Sequence, residues 1–338
     1  MGRASIFLVM GLGVVFAIIG LNMQGSTTYL VKAQMGYSKY TIARDLARLA
    51  VHTTLRAYDR NLSPIPTSGG FNGGTYTVTT KSSGDTLWLT TKGTYADSSY
   101  TMNVKLLRTT KQFPKVNAAL GISATPVAFS LTKVTIDGRN YDSTGTKLIG
   151  SGDLPGVTTM IKADSTTVKK AGGTNITGST PVKVDVSTVN PLSFLNEYKL
   201  GADYTYAAGS VSTNVTWGSA SAPVITYCNA GDDPTYKITF SGTVTGYGIL
   251  VIRGNVQFNS NFTFNGLVII DGFNTQVQLG ESGTPQIVGG MIMAGDAGAS
   301  VTFKSTSTTG KILYSSSALK TASSIAKLRY YSIMEWLE

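Results

Sequence analysis

The chain has 338 residues, with 28 Lys and Arg against 18 Asp and Glu, a formal net charge of +10. At about one domain per 100–200 residues this predicts two or three units, each long enough to bury a core. Charged residues are 14% of the chain, below the ~25% of average proteins, and with one His and one Cys the chain excludes multi-histidine metal sites, cysteine zinc sites and an intramolecular disulfide.

His52 lies in a helical stretch remote from any nucleophile motif, which argues against Ser-His-Asp chemistry. Carboxylate chemistry would rest mainly on Asp, since there are only four Glu. The expectation is a protein that is not an enzyme and carries no cofactor.

From Ala4 to Val31 there is no charged side chain. Ile6, Phe7, Leu8, Val9, Leu12, Val14, Val15, Phe16, Ile18, Ile19 and Leu21 make the helix apolar all the way round. Such a run can span a ~30 Å hydrocarbon core. A cleaved secretory signal is the alternative, but no small-x-small site follows the apolar core and the helical pattern runs on. Between Tyr29 and Arg60 there is no Pro, and Ala43, Leu46, Ala50, Thr53 and Ala57 recur at three and four residues with Ile42 and Leu49 beside them. Residues 1–60 therefore read as one stalk helix. Its second half would dock through Ile42, Ala43, Leu46, Leu49, Ala50 and Ala57.

A basic leader (Met1, Gly2, Arg3), an apolar helix continuing as an amphipathic one, and then a β-rich body resemble the type IV pilin, pseudopilin and minor-pilin superfamily. The resemblance implies a filament subunit, a partner of copies of itself. The inner membrane would hold the helix first, and pilus-type assembly machinery would move it to a cell-surface, extracellular filament. Pilins usually carry Glu five residues after processing; after Gly2 that position is Phe7. Residues 1–60 hold seven basic and two acidic side chains, suiting anionic lipid or an acidic neighbour as well as a plain solvated face. Basic residues are not interleaved with an aromatic platform, so no nucleic acid partner is expected.

Residues 61–74 contain two prolines and four glycines and read as a linker. Residues 75–110 hold three alternating segments, an antiparallel meander whose Tyr76, Val78, Leu87, Leu89, Met102 and Val104 would face the stalk. Residues 111–222 form a β-rich middle region with weaker signals. In it Asp137, Asn140 and Asp142 are a calcium candidate off the EF-hand spacing, and Asx turns of this kind commonly satisfy themselves. Residues 192–200 read as a short helix.

Residues 223–315 contain four Gly-led apolar runs, starting at Gly248, Gly266, Gly290 and Gly310 at intervals of 18, 24 and 20 residues. A period near 20 with Gly corners predicts a stacked β-solenoid. It resembles the bactofilin-like β-helix and β-helical domains joined to minor-pilin-like N-termini. Arg253 and Asp271 both stand five residues after their Gly, which predicts an ion pair between adjacent coils. The sharper alternative is an Asp271 and Asp296 carboxylate pair cleaving polysaccharide. Residues 316–338 would cap the solenoid, a Ser-capped helix leading to a final strand, with Trp336 a candidate intersubunit anchor.

The fold class expected is thus α+β, mostly β: a long N-terminal stalk helix, an antiparallel sheet and a C-terminal solenoid. Function divides between a structural filament subunit and a membrane-anchored minor pilin or adhesin holding a surface glycan.

Overall fold

A computed structural model describes residues 3–59, 64–111, 113–187, 192–280, 282–295, 300–305 and 309–337. The molecule is α+β and mostly β, with one long N-terminal helix. It divides into two compact units, Met1–Thr110 with Arg329–Glu338, and Lys111–Leu328.

The first unit opens with α1 (Arg3–Asp59), where no Pro interrupts the hydrogen-bond ladder. Then come β1 (Ser68–Phe71), β2 (Gly74–Ser83), β3 (Thr86–Tyr95) and β4 (Ser98–Thr110), antiparallel to one another in that order. The linker expected at 61–74 therefore contains a strand. Phe71 pairs with Gly74, so Asn72 and Gly73, both at positive φ, form a two-residue hairpin turn. Asn-Gly is the sequence such a turn favours. Along β2, β3 and β4 alternate residues are buried, including Tyr76, Val78, Leu87, Leu89, Met102 and Val104, with Leu106 continuing the row.

The second unit begins with β5 (Leu120–Ile122), β6 (Val127–Ser130), β7 (Thr135–Asp137), β8 (Val157–Thr159), α2 (Lys162–Gly172), β9 (Ile176–Thr177), β10 (Val182–Val184) and α3 (Leu192–Leu200). It continues through β11 (Tyr204–Ala207), β12 (Gly209–Val211), β13 (Val215–Trp217), β14 (Val224–Asn229), β15 (Lys237–Phe240), β16 (Val244–Arg253), β17 (Asn255–Phe258) and β18 (Phe262–Asp271). It ends with β19 (Thr275–Leu279), β20 (Gln286–Met293), β21 (Val301–Ser305), β22 (Lys311–Tyr314) and α4 (Ser316–Ser323). From β14 to β21 the chain alternates between two sheets. One carries β14, β16, β18 and β20 and the other β15, β17, β19 and β21, each pairing parallel with the next.

The register explains the Gly-led apolar runs. Leu250, Ile252, Val268 and Ile270 face an interior shared with Phe240, Phe258, Val277 and Leu279 of the second sheet. The alternate residues Ile249, Val251, Leu267 and Ile269 point the other way, into a layer with Tyr198 of α3 and Ala322 of α4. A strand buried on both faces has no polar alternation. Gly248, Gly266 and Gly289 stack in one column at positive φ, and a Cβ on Gly266 would run into the carbonyl oxygen of Gly248. The third run is therefore in register from Gly289, not Gly290. Gly310 lies outside the column, where Tyr314 stands opposite Gly289 instead.

Two expected boundaries are corrected. Residues 111–222 are not a region apart, because β5 pairs with β20 and β6 with β21. At the opposite end, β11, β12 and β13 pair with β14, β15 and β16. Residues 316–338 do not form one cap. Helix α4 belongs to the second unit, where Ser315 caps it by accepting from the Ala318 N–H at 3.2 Å. The last strand, β23 (Arg329–Leu337), pairs antiparallel with β4 in the first unit. Tyr331 and Trp336 pack on the first unit's core, so in sequence residues 111–328 lie between two paired strands of the first unit.

Candidate assembly surface

The C-terminal half of α1 is docked on the first unit's sheet. Ala43, Leu46, Ala47, Ala50, Val51, Thr54 and Ala57 are buried, a stripe at three- and four-residue spacing. Close approach is built in by small residues. At Gly93 of β3 a Cβ would collide with Ala43 O and Ala47 N of the helix backbone, and the Thr91 hydroxyl donates to Ala47 O at 3.1 Å. Tyr40 meets Tyr100 edge to face at 5.3 Å, and Lys39 Nζ lies 2.8 Å from Asp97 Oδ1. Of the expected docking face, Ala43, Leu46, Ala50 and Ala57 are buried. Leu49 is 37% exposed and Ile42 half-buried, while Ala47 and Val51 lie beneath. The spacing from Ala43 through Ala47 to Ala50 was the available signal, but alanines contrast weakly with their surroundings.

The N-terminal half has no such partner. Every residue from Met10 to Ser38 is exposed. Leu12, Val14, Val15, Phe16, Ile18, Ile19 and Leu21 are among the exposed large apolar residues, and the side chains of Ile6, Phe7, Leu8 and Val9 lie outside the described residues. Among the described residues α1 is the one helix long and apolar enough to cross a membrane. Its glycines, Gly11, Gly13, Gly20, Gly25 and Gly36, face open space, where a Cβ would touch nothing. A mid-helix glycine costs ~1 kcal/mol relative to Ala. Among the described residues nothing packs against these glycines to offset that cost. Thr27 and Thr28 turn their hydroxyls back onto Met23 O and Gln24 O at 2.7 and 2.8 Å, satisfying both donors inside the helix.

The remaining sequence-derived sites fall elsewhere. Arg253 and Asp271 are opposite each other on β16 and β18, Nη1 to Oδ2 2.9 Å, and Arg253 Nη2 also reaches Asp232 at 2.9 Å. The Asp271 side chain is 2% exposed. The pair borders a cleft of about 360 Å³ where Lys199 sits 5.7 Å over the Tyr227 ring, and burial raises the Tyr227 hydroxyl above its ordinary pKa. Asp296 lies outside the described residues.

Asp137, Asn140 and Asp142 each have separate protein partners. Asp137 takes Arg139 Nη2 at 2.7 Å and the Tyr141 hydroxyl at 2.8 Å. Asn140 donates to Ser151 O and accepts from Ser316 N, and the N–H of Thr146 holds Asp142 down at about 2. Among the described residues no three His, Cys, Asp or Glu cluster to hold a metal. Trp336 is half-buried on its own unit's core, its ring 6.3 Å from that of His52, and Ile333, Met334 and Leu337 around it are exposed.

No family model and no curated protein matches this chain. Among solved structures it is similar to the competence-associated pilin ComZ from Thermus thermophilus, at 11% identity and a TM-score of 0.24, covering 88% of this chain and 96% of that one. A likeness that weak transfers neither fold nor function.

Proposed function

We propose that this protein is the structural, non-enzymatic subunit of an extracellular pilus-like filament. Copies pack through the apolar half of α1 and display the β-rich body. One observation carries the reading: the helix exposes every residue from Met10 to Ser38 while its continuation is docked. Burying an aliphatic or Phe side chain is worth ~1.5–3 kcal/mol, so a bundle of such helices gains on every side at once. Exposed glycines suit it, because they let neighbouring helix backbones approach closely. The inner membrane would hold the same segment before assembly, since ~20 residues at 1.5 Å each span the hydrocarbon layer. Transfer from membrane to filament would need pilus-type assembly machinery.

We read the alternating parallel sheets of the second unit as a β-solenoid, similar to the bactofilin-like β-helix. In-register pairing and the glycine column support this.

Electron microscopy of material sheared from cells making the full chain, beside a variant lacking residues 1–28, tests the proposal. Filaments from the full chain alone, with a helical core, are expected. Single copies confined to the membrane fraction would replace it with the second reading, a membrane-anchored minor pilin or adhesin, which the length of the apolar segment equally favours.

A further inference from the structure

The outer face of the first parallel sheet of the second unit is covered unevenly. Beyond the glycine column Ile249, Val251, Leu267 and Ile269 are sealed by the helical elements. Before it, the outward side chains Tyr247 of β16 and Thr263 and Asn265 of β18 line a groove of about 290 Å³, together with Ala318 and Thr321 of α4 and with Thr144. Asn265 is only 7% exposed, yet its side-chain amide has no hydrogen-bond partner among the described residues. Neither do the hydroxyls of Tyr247 and Thr263. The amide reaches solvent in the groove, so the open side is where a partner would come from.

The lining defines the partner's chemistry. No charged side chain borders the groove, so it offers nothing to a phosphate or carboxylate. Hydroxyls and an amide that both donate and accept match adjacent hydroxyl groups, which do the same. The Tyr247 ring supplies an apolar plane with a polar tip. The volume sits at the lower edge of the ~300–1,000 Å³ of ordinary ligand pockets, room for one ring. We infer that this groove binds one neutral hexose unit of a glycan, with the Asn265 amide bridging adjacent hydroxyls and Tyr247 and Thr263 each adding a hydrogen bond. The site lies wholly in the second unit and does not depend on the filament reading.

Saturation-transfer NMR on the detergent-solubilised full chain tests this, with maltotriose, cellotriose, mannotriose and N-acetylchitotriose as probes and trigalacturonate as the charged comparator. At least one neutral probe should bind, and trigalacturonate should not. Asn265→Leu should weaken binding about tenfold or more, and Thr263→Val, which keeps the volume, by several-fold. If Asn265→Leu does not fold, Thr263→Val carries the test. No binding of any neutral probe, equal binding of trigalacturonate, or unchanged affinity in the folded variants would each overturn the inference. Microscopy of the same variants keeps the two readings apart, because filaments without binding sink only this site and binding without filaments sinks only the polymer.

Discussion

Between Ala43 and Ala57 the long helix lays a stripe of mostly small side chains on a sheet, whereas between Met10 and Ser38 the same helix presents larger ones and buries none of them. The docked half needs small residues because one broad partner comes close: Ala43 and Ala47 let their own backbone reach Gly93. Within the exposed half the run up to Leu21 is apolar around its whole circumference, which no single sheet face could cover. A stripe is satisfied by one neighbour within the chain, while an apolar cylinder has to be surrounded. The two halves thus separate what this chain folds by itself from what only lipid or other copies complete.

The contrast breaks most sharply at glycine. Gly93→Leu would drive a side chain into helix backbone that cannot yield, and should cost more than ~4 kcal/mol, removing the first unit's thermal transition. Gly20→Leu, in open space, should leave that transition within ~1 kcal/mol while reducing filament yield. Equal effects on melting would mean the two halves do not differ as described.

Truncations sharpen the comparison at the next scale. Met102, fully buried beneath the docked half, should lose ~2–5 kcal/mol on Met102→Ala, read by chemical denaturation. Leu21→Ala, at 70% exposure, should stay within ~0.5 kcal/mol in detergent yet weaken assembly. A destabilised soluble unit in Leu21→Ala would show that the apolar half packs on this chain after all.

The same contrast sets how much of the molecule could be read from its sequence. An unbroken helix without Pro, and strands such as β2 and β3 with one buried face, announce themselves through local periodicity. In the docking stripe Ala43, Leu46, Ala50 and Ala57 are legible from their spacing, whereas Leu49 stands at its exposed edge and Ala47, inside it, carries little hydrophobic signal. Strands of two to four residues, β5 to β10, carry too little pattern of their own and are defined by partners far along the chain, such as Leu120 opposite Met291. β23 was legible as a strand, but its pairing with β4 is set by a contact across the whole second unit. In the Gly289-Gly290 pair only register says which glycine turns the corner. The Asn265 groove had no signal, since a polar residue on an outward strand position is ordinary until a helix half-covers it.

Within the second unit, Arg253 is the cation that joins Asp232 to a nearly inaccessible Asp271. Arg253→Met should cost ~1–3 kcal/mol by leaving that carboxylate poorly compensated, and Arg253→Met with Asp271→Leu should recover much of the loss. Cys228 provides the readout for this unit alone, because burial pushes its thiol up to about 12 and keeps it inert until the unit opens. Alkylation should accelerate in Arg253→Met and not in Gly93→Leu. Acceleration in both would join the two units into one cooperative fold.

The smallest expected effect is in acid. Burial alone would raise the Asp137 carboxyl, but hydrogen bonds from the Arg139 guanidinium and N–H and from the Tyr141 hydroxyl outweigh it and hold the carboxyl below its ordinary value. A carboxyl lowered by folding stabilises the native state above its unfolded pKa of about 3.9, and the contribution is lost as pH falls through the lower folded value. The second unit's thermal midpoint should therefore drop below about pH 4, and Asp137→Asn should flatten that drop while lowering the midpoint at neutral pH. Asp142 is also held low, chiefly by the Thr146 N–H, so Asp142→Asn in the same titration separates the exposed loop from the buried pair. An acid limb unchanged by Asp137→Asn would mean that Arg139 and Tyr141 organise this turn without drawing on the charge of Asp137.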